Sequence, residues 1–206
     1  MNLHSMNEAH VFNKEQEIFI KELRHQTAES HQKLEDNYLS KSILNPSVTL
    51  ADYQKYLSGL YGLTIACEDQ VFPEINHIVP QLEKRYKSGK IIEDLSFTGY
   101  SDLKIDELPY YQYEFSTAAE ALGIMYVLEG STLGGRILYK HINQYLGLNA
   151  ENGAAYFWGY GQETGPMWKS FISEVARFAA EYGESQNIID SAVKTFNITD
   201  TWLRKQ

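Results

Sequence analysis

One segment constrains the fold more than any other. From Ala118 to Leu146 the chain runs without a proline, and Thr117 with Glu120 forms a capping-box pair ahead of it while Gly147 stands at its end. These signals predict one continuous helix roughly 40 Å long at 1.5 Å per residue. A helix of that length, apolar over most of its course, has to run through the core. Elsewhere glycines and prolines fall between long segments, and no regular alternation of short strands occurs. The fold class expected is therefore all-α, a multihelical single domain.

The remaining helices follow from periodicity. Ile18, Phe19, Leu23 and Leu34 place a first helix over about Glu15–Asn37, broken before the next element by Asn45-Pro46. Thr49 is the N-cap expected for a second, Ala51 to about Val71, with Tyr53, Tyr56, Leu57, Leu60, Tyr61 and Ile65 as its apolar stripe. A third is expected over Gln81–Leu95, then the long helix, then Pro166–Tyr182 stopped by Gly183, and a last one over Gln186–Leu203. Residues 1–14 read as a flexible N-terminal tail, and 15–206 as the helical domain.

Charge and composition exclude several classes. A net charge of -9 argues against nucleic acid, which demands a basic face. No apolar run reaches the roughly 18 residues of a membrane span, and no secretory leader is recognisable, so a cytoplasmic location is expected. The single cysteine, Cys67, cannot form an internal disulfide and reads as a small buried residue of the second helix. Glu68 and Asp69 lack a histidine at the spacing of a carboxylate-bridged metal site, which argues against a di-iron bundle.

Two features carry chemistry. With Ile20 set at zero on a helical projection, His31 falls at about 20 degrees and Arg24 at about 40, whereas His25 falls at about 140 on the solvated side. His31 is thus expected on the inward face, as a hydrogen-bonded core residue or as a metal or heme-iron ligand. On the long helix, Gly123, Gly130 and Gly134 project within about 40 degrees of one another, and each costs roughly 0.8–1 kcal/mol relative to alanine. Either close helix packing compensates that cost, or the bare backbone admits a flat ligand. His141 shares this face but lies roughly 10 Å from Gly134 along the helix, and reads as structural.

The string LRHQTAESHQKLED resembles the proximal-helix motif of heme oxygenases, in which a threonine precedes the iron-ligating histidine by four residues and a basic residue precedes it by seven: here Thr27, His31 and Arg24. YVLEGSTLGGRIL is similar to the family's glycine-rich distal helix, and GYGQETGPMWKSF resembles a segment of the bacterial, bacteriophytochrome-associated members. The resemblance spans about Glu17–Leu203. It implies heme held between the first helix and the glycine helix, as cofactor and substrate at once. His31 is then the iron ligand, Gly130 and Gly134 line the oxygen side, and Arg24 and Lys169 are candidates to pair with the propionates. An external electron donor, a ferredoxin or a reductase, is implied, with biliverdin, carbon monoxide and ferrous iron as products.

The sequence departs from the pattern at two places. Many heme oxygenases carry an aspartate directly after the first distal glycine; this chain has Ser131, which can hold a water but brings no charge. The second C-terminal basic position falls on Ser173, with Arg177 one turn later as a possible substitute. The rival readings are a heme carrier or sensor that leaves the ring intact, and the thiaminase-like branch of the fold, which relies on a reactive cysteine.

Overall fold

The computed structural model describes residues 12–206. The expected tail lies outside the described residues for 1–11, and Asn13 already caps the first helix, its side chain paired reciprocally with Gln16. That helix, α1 (Lys14–Glu35), ends earlier than expected. Asn37, fully buried, donates from Nδ2 to the carbonyl and the carboxylate of Asp200 at 3.0 and 2.8 Å, while its Oδ1 caps a separate short helix, α2 (Tyr38–Ile43). A single side chain thereby stops one helix, starts the next and ties both to the C-terminal helix.

The second helix, α3 (Leu50–Ala66), starts at the Thr49 cap but does not run unchanged to Val71: Cys67–Val71 widens into a π-helical turn, followed by α4 (Phe72–Ile75). The expected helix over Gln81–Leu95 is corrected. Gln81 is left-handed, at φ 54°, only a single 3-10 turn follows, and α5 spans Ser88–Phe97. The start of α5 is set by a distant group, since the buried Glu68 carboxylate in the π turn accepts from the Ser88 amide at 2.9 Å and from the Ser88 hydroxyl. A short α6 (Asp102–Asp106) precedes the long helix, α7 (Ala118–Leu146), which has the predicted caps at both ends; Gly147 takes φ 71°. After α7 come the one-turn α8 (Ala155–Trp158), α9 (Thr164–Tyr182) and α10 (Ser185–Leu203). Among the described residues the ordered elements are helical, apart from isolated bridges around Asn149, as the all-α expectation requires.

Helix α10 is the hub. It packs along α7 on one side and along α1 on the other, and α9 also touches both. Buried Ile188, Ile189, Ala192 and Phe196 of α10 join Leu122, Met125 and Val127 of α7 and Phe19, Ile20 and Leu23 of α1 in the main core. A second apolar cluster joins Tyr53 and Leu57 of α3 to Ile91 and Leu95 of α5 and Phe157 of α8. Helices α1 and α7, which carry the two chemical motifs, thus both pack against α10 and α9. No helix among the described residues is long and apolar enough to cross a membrane.

Candidate heme site

The three glycines of α7 separate by what surrounds them. A Cβ on Gly123 would sit 2.5 Å from the Ile188 carbonyl and 2.6 Å from Ser191 Cβ, so this glycine exists for the crossing with α10. A Cβ on Gly130 would meet only the Trp168 ring, at an ordinary 3.5 Å, and one on Gly134 would meet nothing within 4 Å. Packing within the protein therefore explains Gly123 and leaves the helix-propensity cost of Gly130 and Gly134 without an internal compensation. Leu133 and Ile137, on the same side of α7, are exposed at 42% and 66%. A bare backbone strip flanked by uncovered apolar side chains is a surface suited to a flat, apolar partner.

Aromatic rings run from this strip to α1. Trp168 lies under Gly130 and 5.6 Å from Tyr126; Tyr126 lies 6.5 Å from Phe196; and Phe196 meets the His31 ring edge-on at 5.3 Å. His31 and the glycine strip thus stand at opposite ends of one aromatic floor. Thr27, one turn before His31, is buried; its hydroxyl donates to the Leu23 carbonyl at 2.7 Å and also reaches Tyr126. Burial raises the Tyr126 phenol, and the Thr27 hydrogen bond and the nearby Arg24 charge partly offset that rise. Arg24, Thr27 and Tyr126 therefore share one neighbourhood.

The inward placement of His31 needs correction. Its side chain is 55% exposed, with Glu35 Oε1 3.8 Å from Nε2. The packed seam of α1 is Phe19, Ile20, Leu23, Thr27 and Ser30, whose mean direction lies about 70 degrees from His31 on the ideal projection. The imidazole consequently sits at the edge of the seam, with one side against Phe196 and the rest open to solvent. His25, 82% exposed, lies in solvent, and His141 has a ring nitrogen 3.0 Å from the Asn45 carbonyl.

Among the remaining site candidates, Ser131 is exposed beside the strip, its hydroxyl donating to the Leu128 carbonyl at 2.6 Å. Lys169 is exposed on α9. Ser173 is buried with its hydroxyl oxygen unpartnered, and Arg177 is held by Glu174 and Glu181 of its own helix at 2.7 and 2.6 Å. Arg177 is thus engaged along α9 instead of standing free as a substitute basic group.

Behind the glycine strip lies a cluster that sequence reasoning does not single out. Arg85, fully buried, pairs through Nη1 with Glu129 and donates from Nη2 to the Met167 carbonyl at 3.1 Å. Lys87 Nζ reaches the other oxygen of Glu129 at 2.7 Å, and the Tyr160 hydroxyl donates to the same carboxylate at 2.9 Å. Burial alone would pull Lys87 down, yet Glu129 and Tyr160 hold its pKa above the ordinary value. Glu129 directly precedes Gly130, so this cluster fixes the register of the strip; its one sequence signal is a carboxylate inside an apolar helix. Burial pushes the Cys67 thiol up, which removes the reactive thiolate that the thiaminase-like reading requires.

Fold and site together define an all-α protein in which a line of aromatic rings joins a histidine helix to a glycine helix. The heme oxygenase family model matches residues 17–205, and the chain belongs to that family. Among solved structures, the NO- and CO-bound heme oxygenase of Neisseria meningitidis is 25% identical with a TM-score of 0.71, the match covering 91% of this chain and 90% of that one. The heme oxygenase of Leptospira interrogans is 18% identical with a TM-score of 0.75, covering 91% and 99%. Heme oxygenase-1 of the cyanobacterium Synechocystis, determined in complex with heme, is 18% identical with a TM-score of 0.71, covering 91% of each chain. No curated protein matches the sequence.

Proposed function

We propose that the chain binds heme between α1 and α7 and opens it to biliverdin, carbon monoxide and ferrous iron, using dioxygen and electrons from a ferredoxin or reductase. The observation that carries the reading is the open space at Gly134, with only an ordinary contact to the Trp168 ring at Gly130: two helical glycines that no close packing inside the protein requires. Family membership supports the same reaction.

Bound heme supplies the iron and the oxidisable ring, and the residues of the chain do the rest. His31 offers an imidazole nitrogen to one face, with the Glu35 carboxylate one turn away and 3.8 Å from Nε2. Gly130 and Gly134 keep the opposite face free of side chains. Phe196, Tyr126 and Trp168 give the floor an apolar lining that excludes water. Arg24 and Lys169, both exposed, are the cations that would pair with the propionates. Ser131, next to Gly130, offers that side a hydroxyl that can hold a water without adding charge.

A heme carrier is the second reading, and the replacement of a carboxylate by Ser131 is what favours it. One experiment separates the two. With one equivalent of hemin and a reductant in air, ring opening converts the Soret band into broad red absorption. A Soret band that persists through repeated reduction identifies a carrier.

A further inference from the structure

A Cβ on Gly130 would lie 3.5 and 3.6 Å from the Trp168 indole, whereas four residues further along α7 nothing stands within 4 Å of Gly134. The bare strip therefore has a walled end and an open end, and the wall is one partly buried ring on α9. How far that ring reaches over Gly130 depends on the separation of α7 and α9 at this point.

One buried group grips both helices there. Arg85 belongs to neither, lying in the turn before α5. Its guanidinium pairs through Nη1 with Glu129, the residue before Gly130, and donates from Nη2 to the carbonyl of Met167, the residue before Trp168, at 3.1 Å. Nε donates to the Pro80 carbonyl at 3.2 Å, and Cζ lies 5.8 Å from the ring centroid of Phe171, one turn beyond Met167. Charge balance at Glu129 does not demand this arrangement, since Lys87 Nζ already stands 2.7 Å from the same carboxylate. What the arginine adds is a planar fork with donors fixed in three directions, which holds a carboxylate on one helix and a carbonyl on another at a set separation; the compact ammonium of a lysine has no such geometry.

We propose that Arg85 is a positioning residue for the glycine face of α7: by bracing Glu129 against Met167 it sets the Trp168 ring beside Gly130, as the wall that stops a flat macrocycle at that end of the strip. Arg85 acts through these two residues and not on the macrocycle. The wall role of Trp168 rests on the heme reading above, and the brace between Arg85 and Trp168 does not.

The test labels the full chain with fluorotryptophan and follows its three tryptophans by fluorine NMR, with Trp168→Phe assigning the signal of interest. Trp158 packs on Tyr139 and Trp202 donates to the Gly59 carbonyl at 2.7 Å, so both serve as internal references. In the heme-free protein Arg85→Lys should shift the Trp168 signal and leave the references in place. Lys87→Met, which removes a cation from Glu129 but no bond to α9, should shift it less. Metal-free protoporphyrin IX, whose ring current acts only at short range, should move Trp168 in the wild type more than either reference. A Trp168 signal that stays put in Arg85→Lys, or three signals that move together, overturns the brace. So does failure of both Arg85→Lys and Arg85→Met to fold, since Arg85 then serves stability alone. Bound porphyrin that leaves Trp168 unmoved overturns its role as a wall. A wild type that binds neither the porphyrin nor hemin overturns the heme reading and the wall with it, whereas the brace stands or falls on the heme-free spectra.

Discussion

Gly123 and Gly134 lie on one face of α7 in opposite surroundings: the first is wedged 2.5 Å from the Ile188 carbonyl, and the second has no neighbour within 4 Å of where a side chain would begin. Identical residues on one helix therefore answer to different causes. Gly134→Ala should stabilise the heme-free protein by about 0.5–1 kcal/mol through helix propensity. Gly123→Ala should destabilise it by about 1–3 kcal/mol or more, because the α7–α10 crossing must open. Urea denaturation of the two heme-free variants checks both signs.

His31→Ala should change heme-free stability little, since the ring is more than half exposed and its main contact is the edge of Phe196. In a hemin titration it should shift the Soret maximum and weaken binding by about tenfold or more, or ~1.4 kcal/mol. An unchanged spectrum would show that another residue holds the iron.

Glu129 pairs with both Arg85 and Lys87 in the interior. Glu129→Gln keeps the shape but strands two buried cations, which should cost about 3–5 kcal/mol. Equilibrium unfolding measures the loss, and a cost below about 1 kcal/mol would mean that water reaches the cluster.

Burial raises Asp94 from the ordinary 3.8 to about 6, against the pull of the Tyr156 and Ala155 amides. The folded state then takes up this proton before the unfolded state does as pH falls. The ionised group weighs against folding above pH 6, and that penalty fades between about 6 and 3.8. Relative to Asp94→Asn, the wild type should gain up to about 3 kcal/mol between neutral pH and pH 4. Denaturation curves for the pair at both pH values test the sign.

Helix α7 was legible in full because its caps and its apolar run agree. The roles of its glycines were not, since Gly123, Gly130 and Gly134 share a face and only the atoms opposite distinguish them. The projection put His31 on the inward face, but the seam is set by what α10 and α9 present, and it falls to one side of the ring, leaving the imidazole half-exposed. The start of α5 and the existence of α8 depend on Glu68 and Asp94, which act across about twenty and sixty residues of chain. Contacts at that range leave no periodic signal. Arg85 and Lys87, like most charges in a sequence, read as solvated until Glu129 is found between them.

Heme is expected against the face of α7 that Gly134 leaves open. Hemin titrated into wild type and into Gly134→Leu, with the Soret band followed to saturation, addresses it directly. One-to-one binding by the wild type and a loss of at least about tenfold in the leucine variant, with heme-free stability undiminished, is the result expected. Equal affinity in the two proteins would place the heme elsewhere.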